Sequence, residues 1–174
     1  SSSSPARPLR LLVIEDTEAD YELLVLTLRR DGLNFQSLRV ENALGVARAF
    51  ADDDWDAVIS DHQLPGYSSL AALEQVRELS PWCPFIIVSG VIGEDVAVGA
   101  MRRGADDYLV KGRLARLVPS LLNAITAAQA RRDQARVSEE LLDSRHALRA
   151  LLAHRLGDRP LHSRSLLAGG AGDD

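Results

Sequence analysis

Three carboxylates follow apolar runs of this sequence, at points where side chains with chemical roles collect in α/β sheets. Glu15 and Asp16 follow Leu-Arg-Leu-Leu-Val-Ile, and Asp61 follows Ala-Val-Ile-Ser and precedes a Pro-Gly turn. A short apolar run bounded by turn residues is typical of a buried strand, and ligands bind at the carboxyl ends of such strands. Three carboxylates in one pocket repel each other and need a cation, and hard oxygen ligands favour Mg²⁺.

A hydroxyl and an ammonium group follow the same pattern further along the chain. Ser89 ends the apolar run that begins at Pro84, and Lys111 follows Asp-Tyr-Leu-Val. Because the carboxyl ends of parallel strands meet at one edge of a sheet, we expect Ser89 and Lys111 to lie beside the carboxylates. A carboxylate nucleophile, a metal ion and a lysine are together what phosphoryl transfer to aspartate requires.

Alternating strands and helices are predicted to position these residues. Strands are predicted at 9–14, 35–40, 57–61, 84–89 and 107–110, and helices at about 17–30, 42–51, 69–79, 94–103 and from 114 onwards. Thr17 is a candidate cap of the first helix, and Ser68 or Ser69 of the third. The links are too short for anything but parallel crossovers, so the pattern predicts an α/β fold with a doubly wound five-stranded parallel sheet.

The last predicted helix continues beyond the point where such a domain should end. From 114 to about 156 the sequence has no glycine, and its one proline, Pro119, lies in the first turns, where it is tolerated. Two runs with alternating spacings of four and three occur out of phase by two residues: Leu114, Val118, Leu121, Ile125 and Ala128, then Val137, Leu141, Ser144, Leu148 and Leu151. The second run has no domain left to pack on and predicts a partner helix, with a frayed helical tail as the alternative.

The composition argues against a nucleic-acid-binding protein, a membrane protein and a cysteine-dependent enzyme. The chain has 174 residues, 46% of them hydrophobic, and its net charge of −5 gives no reason to expect nucleic-acid binding. No apolar stretch approaches the length of a membrane span and no signal-peptide pattern is seen, so a cytoplasmic location is expected. The single cysteine, Cys83, is interpreted as a structural thiol and not a nucleophile. The chain starts with serine and its only methionine is Met101, so the initiator has been removed or the chain is cut from a longer one.

The predicted organisation has four parts. Residues 1–8 are expected to be a disordered arm, 9–126 the α/β domain, 127–156 an extended helix forming a coiled coil, and 157–174 a disordered tail. Nothing after the extended helix can form a helix-turn-helix, so a DNA-binding output would lie outside this sequence.

With these residues in this order and at this spacing, residues 9–123 resemble the receiver domain of response regulators, the phosphoacceptor of bacterial two-component signalling. The resemblance implies a flavodoxin-like (βα)5 fold. In it, Asp61 accepts a phosphoryl group from a sensor histidine kinase or a phosphotransfer protein. It further implies that Asp16 binds Mg²⁺ directly, that Glu15 assists, and that the backbone carbonyl of Gln63 is a third protein ligand.

The same resemblance assigns the residues of the conformational switch. Ser89 holds the family's Thr/Ser position, Tyr108 its aromatic position and Lys111 its lysine. Gly112 departs from the family pattern, which usually has a proline with a cis peptide bond after the lysine, and this departure leaves the loop geometry open. Residues 107–117 resemble receivers that stand ahead of sensor, kinase or cyclase modules.

The positions of two histidines raise the question of a role in proton or phosphoryl transfer. His62, next to the acceptor, is interpreted as a rim side chain that points into solvent, with a proton-relay role as the alternative. His146 lies in His-Ala-Leu-Arg-Ala-Leu-Leu, which faintly resembles the phosphorylated helix of a histidine kinase. Since no acid follows it and no ATP-binding domain accompanies it, we treat that likeness as coincidence.

Three functions are compatible with these observations. The first is a phosphorylation-controlled signalling switch, with no enzymatic activity beyond its own reactions at Asp61, that forms a homodimer through its last helix. The second is a receiver-like module that dimerises irrespective of phosphate, for which Gly112 leaves room. The third is an aspartate-dependent phosphatase. That class needs Asp-x-Asp after the first strand, where this chain has Glu-Asp-Thr-Glu at 15–18.

Overall fold

The computed structural model describes residues 7–90 and 93–157. The elements are, in chain order, β1 (Leu9–Ile14), α1 (Glu18–Arg30), β2 (Phe35–Val40), α2 (Ala43–Asp52), β3 (Ala57–Asp61), β4 (Gln63–Leu64), β5 (Tyr67–Ser68), α3 (Ser69–Leu79), β6 (Phe85–Ser89), α4 (Glu94–Arg102), β7 (Asp107–Val110), a 3-10 turn (Leu114–Arg116) and α5 (Leu117–Gly157). The five predicted strands and five predicted helices are all present. Their observed ends lie close to the predicted ones.

Five strands form one parallel sheet in the order β2-β1-β3-β6-β7. The order reverses direction between β1 and β3, as expected of a doubly wound sheet. The predicted fold class is therefore confirmed. Because all five strands run the same way, the residues that follow β1, β3, β6 and β7 reach one edge of the sheet.

The sheet is buried on both faces, which explains the near-continuous apolar runs of its strands. Val58 lies in the core that α2 and α3 cover, and the next residue, Ile59, lies in the core that α1 and α5 cover. The first part of α5 contributes Leu117 and Leu121 to that second core, and both are fully buried. The start of the last helix is therefore held by the sheet, as its first apolar run predicted.

Two local features differ from the predictions. Thr17 occupies the N-cap position of α1, but its side chain makes no capping hydrogen bond; its backbone N–H instead donates to Glu15 Oε1 at 3.1 Å. The hydroxyl cap predicted for this helix is therefore wrong, although Thr17 does take the N-cap position. The predicted cap of α3 is confirmed, since Ser68 Oγ accepts from Ala71 N–H at 3.1 Å.

A small antiparallel ladder between β4 and β5 was not predicted. The strands have two residues each, too short for a periodic signal, and Gly66 between them has φ +67°. Glycine adopts this left-handed conformation without strain, so the Pro-Gly turn folds the chain back after β3. The ladder brings α3 next to the end of β3.

The chain divides into two compact units, residues 1–133 and 134–174. In the second unit, the described residues 134–157 continue α5, and nearly all of their side chains are exposed. The predicted arm (1–8) and tail (157–174) lie almost entirely outside the described residues. Among the residues described, no helix combines the length and the apolar character that a membrane crossing requires.

Cys83 lies in the core beneath α2 and α3 and is 1% exposed. Burial raises the pKa of its thiol to about 12. The thiolate is the reactive form, so burial and the raised pKa both oppose chemistry at this sulfur. The residue fits the structural thiol predicted from the sequence.

We predict that Cys83 does not react with a disulfide reagent such as DTNB in the native protein at pH 8. With a pKa near 12, on the order of one thiol in ten thousand is ionised at that pH. The same protein in denaturant should release one equivalent of chromophore within minutes, which is the positive control. Stoichiometric reaction of the folded protein on that timescale would contradict the buried placement.

Candidate functional site

Three carboxylates meet at the carboxyl edge of the sheet. Glu15, Asp16 and Asp61 each offer an oxygen, and these oxygens lie within 4.8 Å of one another. Ile14 pairs with Ser60 in the parallel register of β1 and β3, so the residues that follow them become neighbours. Glu15 is buried, Asp61 is half-buried and Asp16 is exposed. The sequence prediction that these three side chains converge agrees with this geometry.

Lys111 compensates this concentration of negative charge. Its Nζ donates to Glu15 Oε2 at 3.2 Å, to Asp61 Oδ2 at 3.1 Å and to Asp20 Oδ2 at 2.8 Å. The backbone N–H of Lys111 donates to the carbonyl of Ser89 at 2.8 Å, which fixes the start of this loop on β6. An ammonium group carries three protons, so all of its donors are directed at carboxylates.

Asp20 was not identified from the sequence. It lies in the first turn of α1, where an acidic residue is expected simply because of the positive end of the helix dipole. A signal for its role was nevertheless present. Lys111 is the only lysine of the chain, all other basic residues apart from histidine being arginine. A compact ammonium that can contact several oxygens at once differs from a planar guanidinium, and this difference pointed to a dedicated set of acceptors.

Burial and neighbouring charges shift the pKa values of Glu15 and Lys111. Burial raises the pKa of Glu15 to about 7, and the charge of Asp61 and a hydrogen bond with Asp16 act in the same direction. The backbone hydrogen bond from Thr17 and the charge of Lys111 oppose the rise. Burial lowers the pKa of Lys111, but hydrogen bonds to Asp20 and Asp61 outweigh burial and raise it above its ordinary value. The lysine therefore stays charged.

The two predicted switch residues lie on β6 and β7, adjacent strands of the sheet. Ser89 is buried at the end of β6, and Tyr108 is half-buried on β7. Ser89 pairs with Val110, the residue that precedes Lys111, and Tyr108 pairs with Ile87. The hydroxyl and the aromatic ring are thus carried by one strand pair that also carries the lysine.

His62 does not point into solvent, so that interpretation was wrong. Its Nδ1 lies 2.8 Å from Ser69 Oγ, and its ring contacts Tyr108 edge to face at a centroid distance of 5.9 Å. The cause is the ladder of β4 and β5, which brings Ser69, the first residue of α3, back to the end of β3. The histidine links the segment after Asp61 to the aromatic residue on β7.

The remaining predicted positions lie in the surrounding loops. Gln63 is in β4, two residues beyond Asp61. Gly112 follows the lysine without using the left-handed backbone conformation that glycine permits, and a Cβ built on it meets no atom within 4 Å. Among the described residues every peptide bond is trans. The space and backbone at Gly112 would therefore accept other residues.

The donor set at this edge fits Mg²⁺. Three carboxylate oxygens within reach of one another are the hard ligands that this ion prefers, and the exposed Asp16 leaves room for the waters that Mg²⁺ retains. Burial is the main cause of the raised pKa of Glu15, and the charge of Asp61 adds to it; a divalent cation would oppose both effects.

The chain belongs to the response regulator receiver domain family, whose model matches residues 11–121. That range contains the carboxylates, both switch residues and the lysine. Domains of this family are signalling modules of two-component systems. The resemblance seen in the sequence is confirmed at the level of the family.

Individual proteins show the same likeness. The transcriptional regulator NtrC of Escherichia coli K12 is 34% identical over 99 residues, which cover 57% of this chain and 21% of that protein. The response regulator PilR of Pseudomonas aeruginosa is 29% identical over 146 residues, which cover 82% of this chain and 32% of that protein. The chain thus spans between a fifth and a third of these two curated relatives.

Solved structures agree with the fold. A receiver domain protein from Clostridium thermocellum is 28% identical, has a TM-score of 0.62, and is matched over 70% of this chain and 98% of its own length. The likeness of residues 107–117 to receivers ahead of sensor, kinase or cyclase modules stays a prediction.

We predict that Lys111→Met lowers the free energy of unfolding by about 1–3 kcal/mol in EDTA buffer, because Glu15 and Asp61 lose their counter-charge. Adding Asp61→Asn should restore part of the loss, since it removes one of the repelling carboxylates. Urea unfolding followed by circular dichroism measures both effects. If Lys111→Met were as stable as the wild-type protein, the three hydrogen bonds of Lys111 would not offset the repulsion between the carboxylates.

Proposed function

We propose that this receiver domain is phosphorylated on Asp61 by a sensor histidine kinase or a phosphotransfer protein, and that the phosphoryl group switches its conformation. The observation that carries the proposal is the convergence of Glu15, Asp16 and Asp61 with the only lysine of the chain at one edge of the sheet. Paired acids and a fixed ammonium are the requirements of phosphoryl transfer to a carboxylate.

In the proposed reaction, a carboxylate oxygen of Asp61 attacks the phosphorus of a phosphohistidine. An O–P bond forms while the P–N bond breaks, and the electron pair of that bond returns to the imidazole nitrogen. Mg²⁺, when bound, neutralises negative charge on the phosphoryl oxygens. Glu15, Asp16, Asp61 and the backbone carbonyl of Gln63 would hold it. Lys111 donates to Asp61 Oδ2 and supplies a positive charge beside the new phosphoryl group.

The proposed switch uses the strand pair that carries the lysine. The Ser89 hydroxyl, buried at the end of β6, would donate to the phosphoryl group. Tyr108 would then turn inward on β7. The contact of its ring with His62 supports this role, because that contact ties the aromatic side chain to the segment that follows Asp61.

We further propose that residues 134–157 pair with the same helix of a second copy. Four apolar side chains spaced by four, seven and three residues are half or more exposed: Val137, Leu141, Leu148 and Leu151. Leaving such an apolar stripe in water is unfavourable, and the same stripe of a second copy would bury it. The polar Ser144 in the middle of the stripe would align the two copies in register.

The charges beside the stripe favour a parallel pair. With Leu141 and Leu148 at core positions of a heptad, Glu140 and Arg145 take the two flanking positions, five residues apart. In a parallel, in-register pair each Glu140 faces the partner's Arg145, which gives two interhelical ion pairs. In an antiparallel pair like flanks face each other, and Arg145 would meet its own counterpart.

The proposed chemistry is confined to the chain's own aspartate. Turnover of external phosphate esters is not proposed, because the residues after β1 are Glu15 and Asp16 and not the Asp-x-Asp of aspartate-dependent phosphatases. The protein would thus act as a phosphoacceptor and not as an enzyme towards other substrates.

We predict that the wild-type protein, incubated with Mg²⁺ and phosphoramidate, gains the mass of one phosphoryl group, as read by intact-mass spectrometry. Asp61→Asn should gain none, because its amide cannot attack phosphorus. Asp16→Asn should be slow, because one proposed Mg²⁺ ligand is lost. Asp54→Asn changes an exposed acid that precedes the amino end of β3, whereas Asp61 lies at its carboxyl end. It is the matched control and should behave as wild type. Stoichiometric phosphorylation of Asp61→Asn would overturn the assignment of the acceptor.

We predict that the protein with Mg²⁺ and beryllofluoride is a dimer by light scattering and that Leu148→Glu makes it a monomer, because a carboxylate in the seam loses its hydration. Leu142→Glu is the control, since Leu142 is similarly exposed but lies outside the stripe.

The dependence on Asp61 decides how dimerisation is controlled. A dimer that forms only with beryllofluoride and disappears in Asp61→Ala supports phosphorylation-gated assembly. A dimer in every condition supports the phosphorylation-independent module instead. A monomer in every condition contradicts the proposed pairing.

A further inference from the structure

Asp20 shares Lys111 with the proposed phosphoacceptor, although it is neither an acceptor nor in the set of carboxylates that can hold a metal ion. Its Oδ2 lies 2.8 Å from Lys111 Nζ, closer than Glu15 at 3.2 Å or Asp61 at 3.1 Å. These three contacts use every proton of the ammonium. A phosphoryl oxygen could therefore bind Lys111 only after one carboxylate gives up its hydrogen bond.

Burial indicates which of the three carboxylates gives way. The side chains of Glu15 and Asp61 are 7% and 11% exposed, and water cannot readily replace the lysine at either one. The side chain of Asp20 is 43% exposed. It also lies in the first turn of α1, where the helix dipole stabilises its charge. Asp20 is therefore the member of the set that can release the lysine at the lowest cost.

We propose that Asp20 is a positioning residue that competes with the phosphoryl group for Lys111 and so opposes the phosphorylated state. In the unphosphorylated protein Asp20 accepts the hydrogen bond from Lys111 that the phosphoryl group would otherwise accept. On phosphorylation Asp20 gives up its hydrogen bond from Lys111 Nζ and turns to solvent. This inference rests on the proposed function of Asp61, but the contact it invokes exists without phosphate.

The test compares single-charge variants of α1. Asp20→Asn removes the competing charge, and Asp20→Glu retains it. Glu22→Gln removes one charge from an exposed position of the same helix that has no hydrogen bond to Lys111. All three are measured as full-length chains with the wild-type protein. The Glu22 variant reports how much of any change comes from net charge alone.

The single lysine provides a direct readout. Protein grown with ¹³Cε-labelled lysine has one lysine signal, that of Lys111, because the chain contains no other lysine. Beryllofluoride is titrated into each protein in saturating Mg²⁺ and the shift of this signal is followed by NMR. A separate titration with Mg²⁺ alone gives the metal affinity, so effects on the metal and on the phosphoryl analogue are separated.

We expect Asp20→Asn to bind beryllofluoride about two- to fivefold more tightly than wild type, the range for losing one partly exposed ion pair. Asp20→Glu should stay near wild type, and Glu22→Gln should not show the gain.

Two results would overturn the inference. If Asp20→Asn and Glu22→Gln change equally, only net charge matters. If Asp20→Asn binds more weakly, Asp20 holds the lysine towards Asp61 and does not compete with the phosphoryl group. If the lysine signal of the wild-type protein did not shift when beryllofluoride was added in Mg²⁺, the proposed function itself would be contradicted. That result differs from the two results that concern Asp20.

Discussion

The structure of the site depends on one ammonium group that holds three carboxylates. Glu15 and Asp61 are largely removed from water, and two such charges at the same edge of a sheet repel each other strongly. Lys111 makes their coexistence possible, since it donates to both and to Asp20. One ammonium group does not neutralise three carboxylates, so the site stays negatively charged. Burial and the charge of Asp61 together raise the pKa of Glu15. A crowded anionic site with an internal cation is suited to take up a divalent ion and a phosphoryl group together.

The parallel sheet is what brings these charges together. Each strand is buried on both faces, so its apolar residues define where it lies, and the first polar residue after it must emerge at the carboxyl edge. The same rule applied to β1, β3, β6 and β7 places acids, a hydroxyl and the lysine within one small region, although 96 positions separate Glu15 from Lys111. Long-range chemistry therefore follows from local alternation of strands and helices.

That logic explains what could be predicted from the sequence. The strands, the fold class, the three carboxylates and the lysine follow from apolar runs and strand ends. The contacts of Asp20 and His62 do not, because they depend on how α1 and α3 begin. Asp20 resembles any first-turn acid, and His62 is turned towards Ser69 by the β4–β5 ladder, whose strands are too short to leave a pattern. Contacts between side chains of different helices and strands leave no periodic pattern in the sequence, so they could not be predicted from it.

The presence of a single lysine has a practical consequence for work with this protein. Reagents that acylate amines usually modify many surface lysines and leave function intact. In this chain the side-chain amine available to them belongs to Lys111, which is 28% exposed and lies within the charged cluster. Amine-directed dyes, biotin esters or surface coupling would therefore modify the lysine of this cluster or the chain's amino terminus. Attachment through an engineered surface cysteine would leave the site untouched, because the native thiol is buried.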